Sequence, residues 1–535
     1  MTQSAGVTAG EPVKERWGSR LGVILAVAGS AVGLGNFLRF PGQAVANGGG
    51  AFMIPYFCAL LFLGIPVGWA EWTMGRYGGE RGFHSAPAIL GLVGRGAVAR
   101  YFGVLGLLIP LVVFFYYALI ESWCLRYTWA YVTGELNLGN DPSMYEHVSS
   151  AFFVSVSGSE RDGVILADGV DASLVCWAIV FVTNVLLIYR GLSRGIEMFC
   201  RWAMPAMAVC AVVVLIRVLT LGTPDPTYPD RNVINGLGFM WNPDLSSLGD
   251  FKTWLAAAGQ VFFSLSVGFG VIINYASYLE RSDDVVLSSL TASGTNEVFE
   301  VSFGGLITVT AAFVFLGANG ATGGTFGLGF HALPVVFAHM GLLGRWIGAT
   351  WFFMLFLAAI TSSLSMLQPV TAFLQEALNV SRKKAVASLS LVAVLGSLWV
   401  IYFSKDLVAL ETMDFWVGTF AVFILATVQI ICFGWVMGVD RGLAEAHAGA
   451  RIRIPRIFRF IIKYVAPAYL LIVFVGFCFQ KLPESVEALV HHDTARNTLV
   501  VVGGVLTGLA ILTWIGQKRW GPRTIALRDH DVRRT

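Results

Sequence analysis

Charge is what this chain has least of. Asp, Glu, Lys and Arg make up only 13% of its 535 residues, about half the share in soluble globular domains. Apolar residues make up 56%, and the mean hydropathy is +0.70. This balance excludes the string of soluble domains that length alone would allow and favours one polytopic membrane domain. The formal net charge of +3 is too small to imply a nucleic-acid partner. Cysteine is also sparse. The seven residues Cys58, Cys124, Cys176, Cys200, Cys210, Cys432 and Cys478 form no CxxC pair, and they read as small buried hydrophobes. No HExxH, GxSxG or paired-aspartate signature is present, so the chain is not expected to be an enzyme. An intramembrane enzyme using Glu71 or Glu300 is the competing reading. No cleavable leader is expected, because residues 1–16 are polar and the following apolar segment lacks a small-residue cleavage site.

What the chain does have is apolar runs. They predict an all-α integral membrane protein of twelve transmembrane helices, at 20–45, 51–76, 99–132, 173–190, 197–220, 252–279, 287–318, 346–378, 384–402, 409–437, 457–480 and 497–518. Each is near the ~20 residues a bilayer requires. Basic residues gather in one set of loops: Lys14, Arg16 and Arg20, then Arg76, Arg81, Arg95 and Arg100, then Arg190, Arg194 and Arg201. The set continues with Arg382, Lys383 and Lys384, with Arg451, Arg453, Arg456, Arg459 and Lys463, and with Lys518, Arg519 and Arg523. The long loop after the third span is acidic, with Glu135, Asp141, Glu146, Glu160, Asp162, Asp168 and Asp171 against Arg161. The positive-inside rule then puts both termini in the cytoplasm of a protein spanning the plasma membrane. The expected divisions are a tail at 1–16, five-helix units at 17–220 and 221–437, two further spans within 438–518, and a tail at 519–535.

Two spans are interrupted. Gly29-Ser30-Ala31-Val32-Gly33-Leu34-Gly35-Asn36-Phe37-Leu38-Arg39 breaks the first, and Phe263-Ser264-Leu265-Ser266-Val267-Gly268-Phe269-Gly270 breaks the sixth. Backbone that leaves the helix at membrane depth is tolerated only where it lines a cavity or water. Interrupted spans at matching places in two halves point to a midplane binding site. Free N–H groups at a half-helix start suit a carboxylate, and unwound carbonyls suit a hard cation such as Na⁺. Oxygens of Asn36, Ser264, Asn296, Thr361 and Ser362 could complete a cation shell, or simply bond between helices. Asn296 and Glu300 lie four apart on one helix face, and a carboxylate inside a membrane span points to function. Glu71 is open to the same reading or to a structural one. Tyr116 and Tyr117 could offer a phenol to the site or only pack. Val113, Phe263, Phe269 and Met366 could form an apolar pocket or plain core. Arg39 and Asp414 could pair across a vestibule or be unrelated interfacial charges.

The strings GLGNFLRFP, NGGGAFMIPY, EWTMGRYGG, YYALIESW, GQVFFSLSVGFG, ITSSLSMLQP and MDFWVGT resemble those of the neurotransmitter:sodium symporter family, from Lys14 to Pro467. The resemblance implies a LeuT-like fold, a 5+5 inverted repeat with spans 1 and 6 unwound at mid-membrane. It implies symport of a neutral apolar L-amino acid with two Na⁺ ions by alternating access. One Na⁺ would meet the Ala31 carbonyl, Asn36, Ser264, Asn296 and the substrate carboxylate. The other would meet carbonyls of Gly29, Val32 and Ala358 and hydroxyls of Thr361 and Ser362. The substrate carboxylate would meet N–H groups of Leu34 and Gly35 and the Tyr117 hydroxyl. Its ammonium would meet carbonyls of Ala31, Phe263 and Ser264 and the Ser266 hydroxyl. Val113, Phe263, Ser266, Phe269, Ser362 and Met366 would line the side-chain pocket.

The resemblance also implies gates. Arg39 with Asp414, over a lid of Phe263 and Tyr117, would form the outer one. Lys14, Trp17, Ser277 or Tyr278, and Glu376 would form the inner one. The chain departs from the family pattern at several of these positions. Ser264 stands for Thr, Ser30 for Asn, Met366 for Ile, and Lys14 with Glu376 for an Arg–Asp pair without the bidentate fork. Glu300 stands where chloride-dependent members have serine; a chloride would sit near Tyr56, Gln260 and Ser264, and a carboxylate at 300 would supply that charge permanently, so transport is expected to be chloride-independent. Proton return on Glu300 is left open, as are the preferred amino acid and the oligomeric state, a homodimer included. A proton-coupled amino-acid transporter and a non-transporting sensor are the alternatives on the same scaffold.

Overall fold

The computed structural model describes residue 15 and residues 17–532, apart from 168–170, 225, 244 and 318–325. Every regular element among the described residues is helical. Helices α1 (Arg20–Ala31) and α2 (Gly35–Ala46) form a pair bent by 47° at the residues between them. Next come α3 (Gly50–Gly79), α4 (Ala97–Thr133), α5 (Ala172–Tyr189) and α6 (Leu192–Leu219). Two short helices follow, α7 (Phe251–Leu265) and α8 (Val271–Ala276). The remaining long helices are α9 (Val285–Leu316), α10 (Leu342–Leu378), α11 (Arg382–Tyr402), α12 (Lys405–Ala446), α13 (Ile457–His491) and α14 (Asp493–Val532).

Among the described residues, ten helices are long and apolar enough to cross a membrane, or eleven if α1 and α2 count as one span. The expected count of twelve is not reached by length and hydropathy alone. The predicted sixth span is divided between α7, 15 residues long, and α8, six residues long. At 1.5 Å per residue neither reaches across a ~30 Å hydrocarbon core by itself.

Local chemistry sets several helix starts. Ser19, Asp171, Asp250 and Asp284 cap α1, α5, α7 and α9, each side chain accepting a first-turn backbone N–H. Helix α10 packs along α4 and also against α1 and α6, so these helices form the interior around the first break. Helices α13 and α14 instead expose Leu471, Ile472, Phe479, Val500 and Trp514, as a lipid-facing surface requires. Two glycines permit close backbone approach. A Cβ at Gly304 on α9 would fall 1.9 Å from the Asn36 carbonyl oxygen. Gly270 has φ +80°, and a Cβ there would fall 2.2 Å from the Gly106 carbonyl oxygen.

Candidate functional site

The first break begins where α1 ends. Val32 takes an extended conformation, φ −76° and ψ 95°, and its N–H makes the last helical bond to Ala28. The chain becomes helical again at Gly35, first as a wider π-type turn through Arg39. Between the two, the Gly33 N–H donates to Asn36 Oδ1 at 2.8 Å and the Leu34 N–H donates to the Tyr117 hydroxyl at 3.2 Å. The second break has three left-handed residues, Ser266 (φ 54°), Gly268 (φ 78°) and Gly270 (φ 80°). Ser266 alone of these carries a side chain in that region, a costly state held by surrounding contacts. Its hydroxyl donates to the Ser30 carbonyl at 3.1 Å, so the two breaks meet.

One polar cluster lies between α2, α7 and α9. Asn36, Gln260, Ser264, Asn296 and Glu300 are all buried. Asn36 Nδ2 donates to Asn296 Oδ1 at 2.8 Å. Asn296 Nδ2 donates to Ser264 Oγ at 2.7 Å and to Glu300 Oε2 at 3.0 Å. Gln260 Nε2 donates to Glu300 Oε1 at 2.6 Å, and the Ser264 hydroxyl donates to the other oxygen. Four sequence candidates from three separated segments thus share one network. The Tyr56 hydroxyl donates to Glu297 Oε2 at 2.8 Å. Sequence reading did not single out Glu297. The signal was available, because it is a second carboxylate three residues before Glu300 in an apolar segment.

A second polar group joins α1 to α10. The Ser362 hydroxyl lies 3.3 Å from the Gly29 carbonyl oxygen and 3.2 Å from that of Ser30. The Thr361 hydroxyl lies 3.1 Å from the Leu357 carbonyl and 3.0 Å from the Ala358 carbonyl. Ser30, whose role the sequence left open, places its hydroxyl 2.7 Å from that of Ser365. Ala31 and Val32 are buried in the intervening backbone. Gly29, Ala358, Thr361 and Ser362 are therefore brought together at one crossing of two helices.

The apolar candidates are buried or half-buried. The Phe263 and Phe269 rings meet edge to face at 6.1 Å, and Val113 and Met366 are buried in the interior. Leu34, Gly35, Tyr117 and Phe263 line one side of a cavity of about 510 Å³, and Arg39 and Asp414 line it too. The Arg39 guanidinium sits 4.4 Å over the Phe263 ring, and Asp414 Oδ1 accepts from the Tyr116 hydroxyl at 2.7 Å. The two charges thus share the cavity while each holds a different partner.

At the opposite end Trp17 Nε1 donates to the Tyr275 carbonyl at 3.1 Å. Glu376 accepts the backbone N–H groups of His84 and Ser85, at 3.2 and 2.9 Å. Ser277 Oγ lies 2.9 Å from His84 Nδ1, and the Tyr278 hydroxyl accepts from Gln368 at 3.4 Å. Lys14 lies outside the described residues. An ion pair at this end joins Glu15 to Arg382 at 2.5 Å, and it was not anticipated. Glu71 accepts from Gln429 Nε2 at 2.7 Å, tying α3 to α12.

Comparison with known proteins bears on the family and the fold. The family model described as the sodium:neurotransmitter symporter family matches residues 14–515. An uncharacterized sodium-dependent transporter of Methanocaldococcus jannaschii is 29% identical over 508 residues, spanning 93% of this chain and 96% of the relative. Sodium-dependent nutrient amino acid transporter 1 of Drosophila persimilis is 25% identical, spanning 87% of this chain and 75% of the relative. The crystal structure of MhsT in complex with L-phenylalanine aligns with a TM-score of 0.74 and 28% identity, covering 86% of this chain and 99% of MhsT. These relatives are transporters, not enzymes, and the competing intramembrane-enzyme reading falls away. An all-helical membrane chain with two facing helix breaks, matched over nearly its whole length, belongs to the sodium:neurotransmitter symporter family.

Proposed function

We propose that this protein takes up a neutral, apolar L-amino acid together with two Na⁺ ions, by alternating access and without chloride. The observation that carries the reading is that two polar groups flank the same pair of breaks. Asn36, Ser264 and Asn296 meet on one side, and Thr361 and Ser362 stand against Gly29 and Ser30 on the other. The first group, with the Ala31 carbonyl and the substrate carboxylate, suits one Na⁺. The second, with carbonyls of Gly29, Val32 and Ala358, suits another. The Leu34 and Gly35 N–H groups, at the positive start of α2, and the Tyr117 hydroxyl suit the substrate carboxylate. Carbonyls of Ala31, Phe263 and Ser264 and the Ser266 hydroxyl suit its ammonium. No acidic or basic side chain stands among Val113, Phe263, Ser266, Phe269, Ser362 and Met366, which favours an uncharged substrate side chain.

Coupling follows from shared ligands. The substrate carboxylate completes a cation shell, so Na⁺ and substrate must tighten each other by the same factor. Glu300 supplies a resident negative charge beside that shell, which removes the need for chloride. Arg39 and Asp414 close the outer side. Trp17, Ser277, Tyr278, Glu376 and the Glu15–Arg382 pair close the inner side, with Lys14 as a further candidate. In this reading both termini are cytoplasmic, the membrane is the plasma membrane, and 17–220 and 221–437 are the two inverted five-helix units, with 438–518 and the tails outside them. The test is radioligand amino-acid binding and proteoliposome uptake with Na⁺ replaced by K⁺. Binding should be lost and solute accumulation abolished; affinity unchanged in K⁺ would overturn the reading. Accumulation driven by a proton gradient in K⁺ would favour proton coupling, and Na⁺-dependent binding without accumulation would favour a sensor. Replacing chloride by gluconate should leave uptake intact.

A further inference from the structure

A third polar cluster lies outside the breaks and has no part in the mechanism above. Glu121 on α4 is fully buried. Among the described residues its carboxylate faces no cation. Asn184 on α5 donates its Nδ2 to both carboxylate oxygens at 3.3 Å. Asn184 Oδ1 in turn accepts the Ser363 hydroxyl of α10 at 2.8 Å, and that hydroxyl also stands against the Glu121 carboxylate itself. Asn184 and Ser363 are also fully buried. One end of this chain of contacts is four residues, or one helical turn, from Tyr117. The other end is the residue next to Ser362 and two from Thr361. A buried carboxylate inside the membrane is expensive, and an apolar side chain of equal size would pack there at less cost. Its partners are all neutral, so it makes no ion pair. What it does is fix the rotation of α10 against α4 and α5 at the level of the Thr361 and Ser362 hydroxyls.

We infer that Glu121, through Asn184 and Ser363, is a positioning residue that sets Na⁺ affinity at the Thr361–Ser362 site. The inference rests on the proposed role of that site. Outer partners of this kind orient direct ligands, and losing one typically weakens metal binding by 10–100-fold. In Na⁺ titrations of radioligand binding, Glu121→Leu should raise the half-saturating Na⁺ concentration about tenfold. Amino-acid affinity at saturating Na⁺ should stay near that of the parent. Asn184→Leu should do the same, and the double variant should be no worse than either alone, because both act through one relay. Glu121→Gln keeps an oxygen acceptor for Asn184 and should restore most of the loss. Thr361→Ala provides the separate check. If it leaves the half-saturating Na⁺ concentration unchanged, the site itself is misassigned. If it raises that concentration while Glu121→Leu and Asn184→Leu titrate like the parent, or if their effects add, the relay is refuted. Should the leucine variants fail to fold, Ser363→Ala removes only the hydroxyl and must still raise the half-saturating Na⁺ concentration.

Discussion

Glu300 shows how much a single side chain carries. It accepts from Gln260, Ser264 and Asn296, and from Asn36 at 3.5 Å, four neutral donors on three helices. Replacing it by serine removes the carboxylate that these donors share while keeping a hydroxyl. Glu300→Ser should therefore bind amino acid poorly in gluconate and recover when chloride is added, read by chloride titration of Na⁺-dependent uptake. Unchanged uptake in gluconate would contradict that role. Glu300 was legible from the sequence because a carboxylate in an apolar run is rare. Glu297 and Glu121 satisfied the same criterion and were passed over. Their partners, Tyr56 and Asn184, come from 241 residues earlier and 63 residues later, and spacing along one helix cannot reveal them. Ser30 is the opposite case. Its position in the break was plain, but its partner Ser365 is 335 residues away.

At the scale of elements, the breaks depend on helices that come unusually close. Helix α9 can lie against the start of α2 because position 304 has no side chain. Gly304→Ala would drive a methyl into the Asn36 carbonyl, 1.9 Å away. Because the obstacle is backbone, relief requires moving α2 or α9, at a cost of about 1–3 kcal/mol. The variant should melt at a lower temperature in detergent and bind Na⁺ more weakly. Gly294→Ala on the same helix, with open space at that position, should match the parent in both measurements. Glycine-rich composition marked the breaks themselves, because a helix interior disfavours such runs. It did not mark Gly304, which sits in an otherwise regular apolar segment and is required only by a neighbour.

At the scale of the molecule, the inner end is held by contacts between segments far apart in sequence. Arg382, at the start of α11, pairs with Glu15 and also donates to the Ile188 carbonyl and to Gln368. Glu197 on α6 accepts from the Gly18 N–H at 2.7 Å and the Ser19 hydroxyl at 2.8 Å. Together they pin the start of α1 to its surroundings. Cys200 is fully buried, and its sulfur would lie 3.3 Å from a Cβ at Gly29, so it reports when α1 moves away. Arg382→Gln should speed alkylation of Cys200, identified by peptide mass, and Na⁺ with substrate should slow it again. Equal labelling rates in parent and variant would exclude the Glu15–Arg382 pair as a restraint on this end.

The sequence by itself determined the class of the molecule. Membrane-length apolar runs, scarce charge and two interrupted segments follow from local chemistry, because a bilayer allows few backbone solutions. It also determined which residues could serve, since amides, hydroxyls and a carboxylate stand out against an apolar background. Pairing was decided only by the tertiary structure. Asn36 meets Asn296, Ser362 meets Gly29, Tyr116 meets Asp414 and Glu15 meets Arg382. Those choices depend on where whole helices cross, and a crossing is set by packing over many residues rather than by the two that meet there.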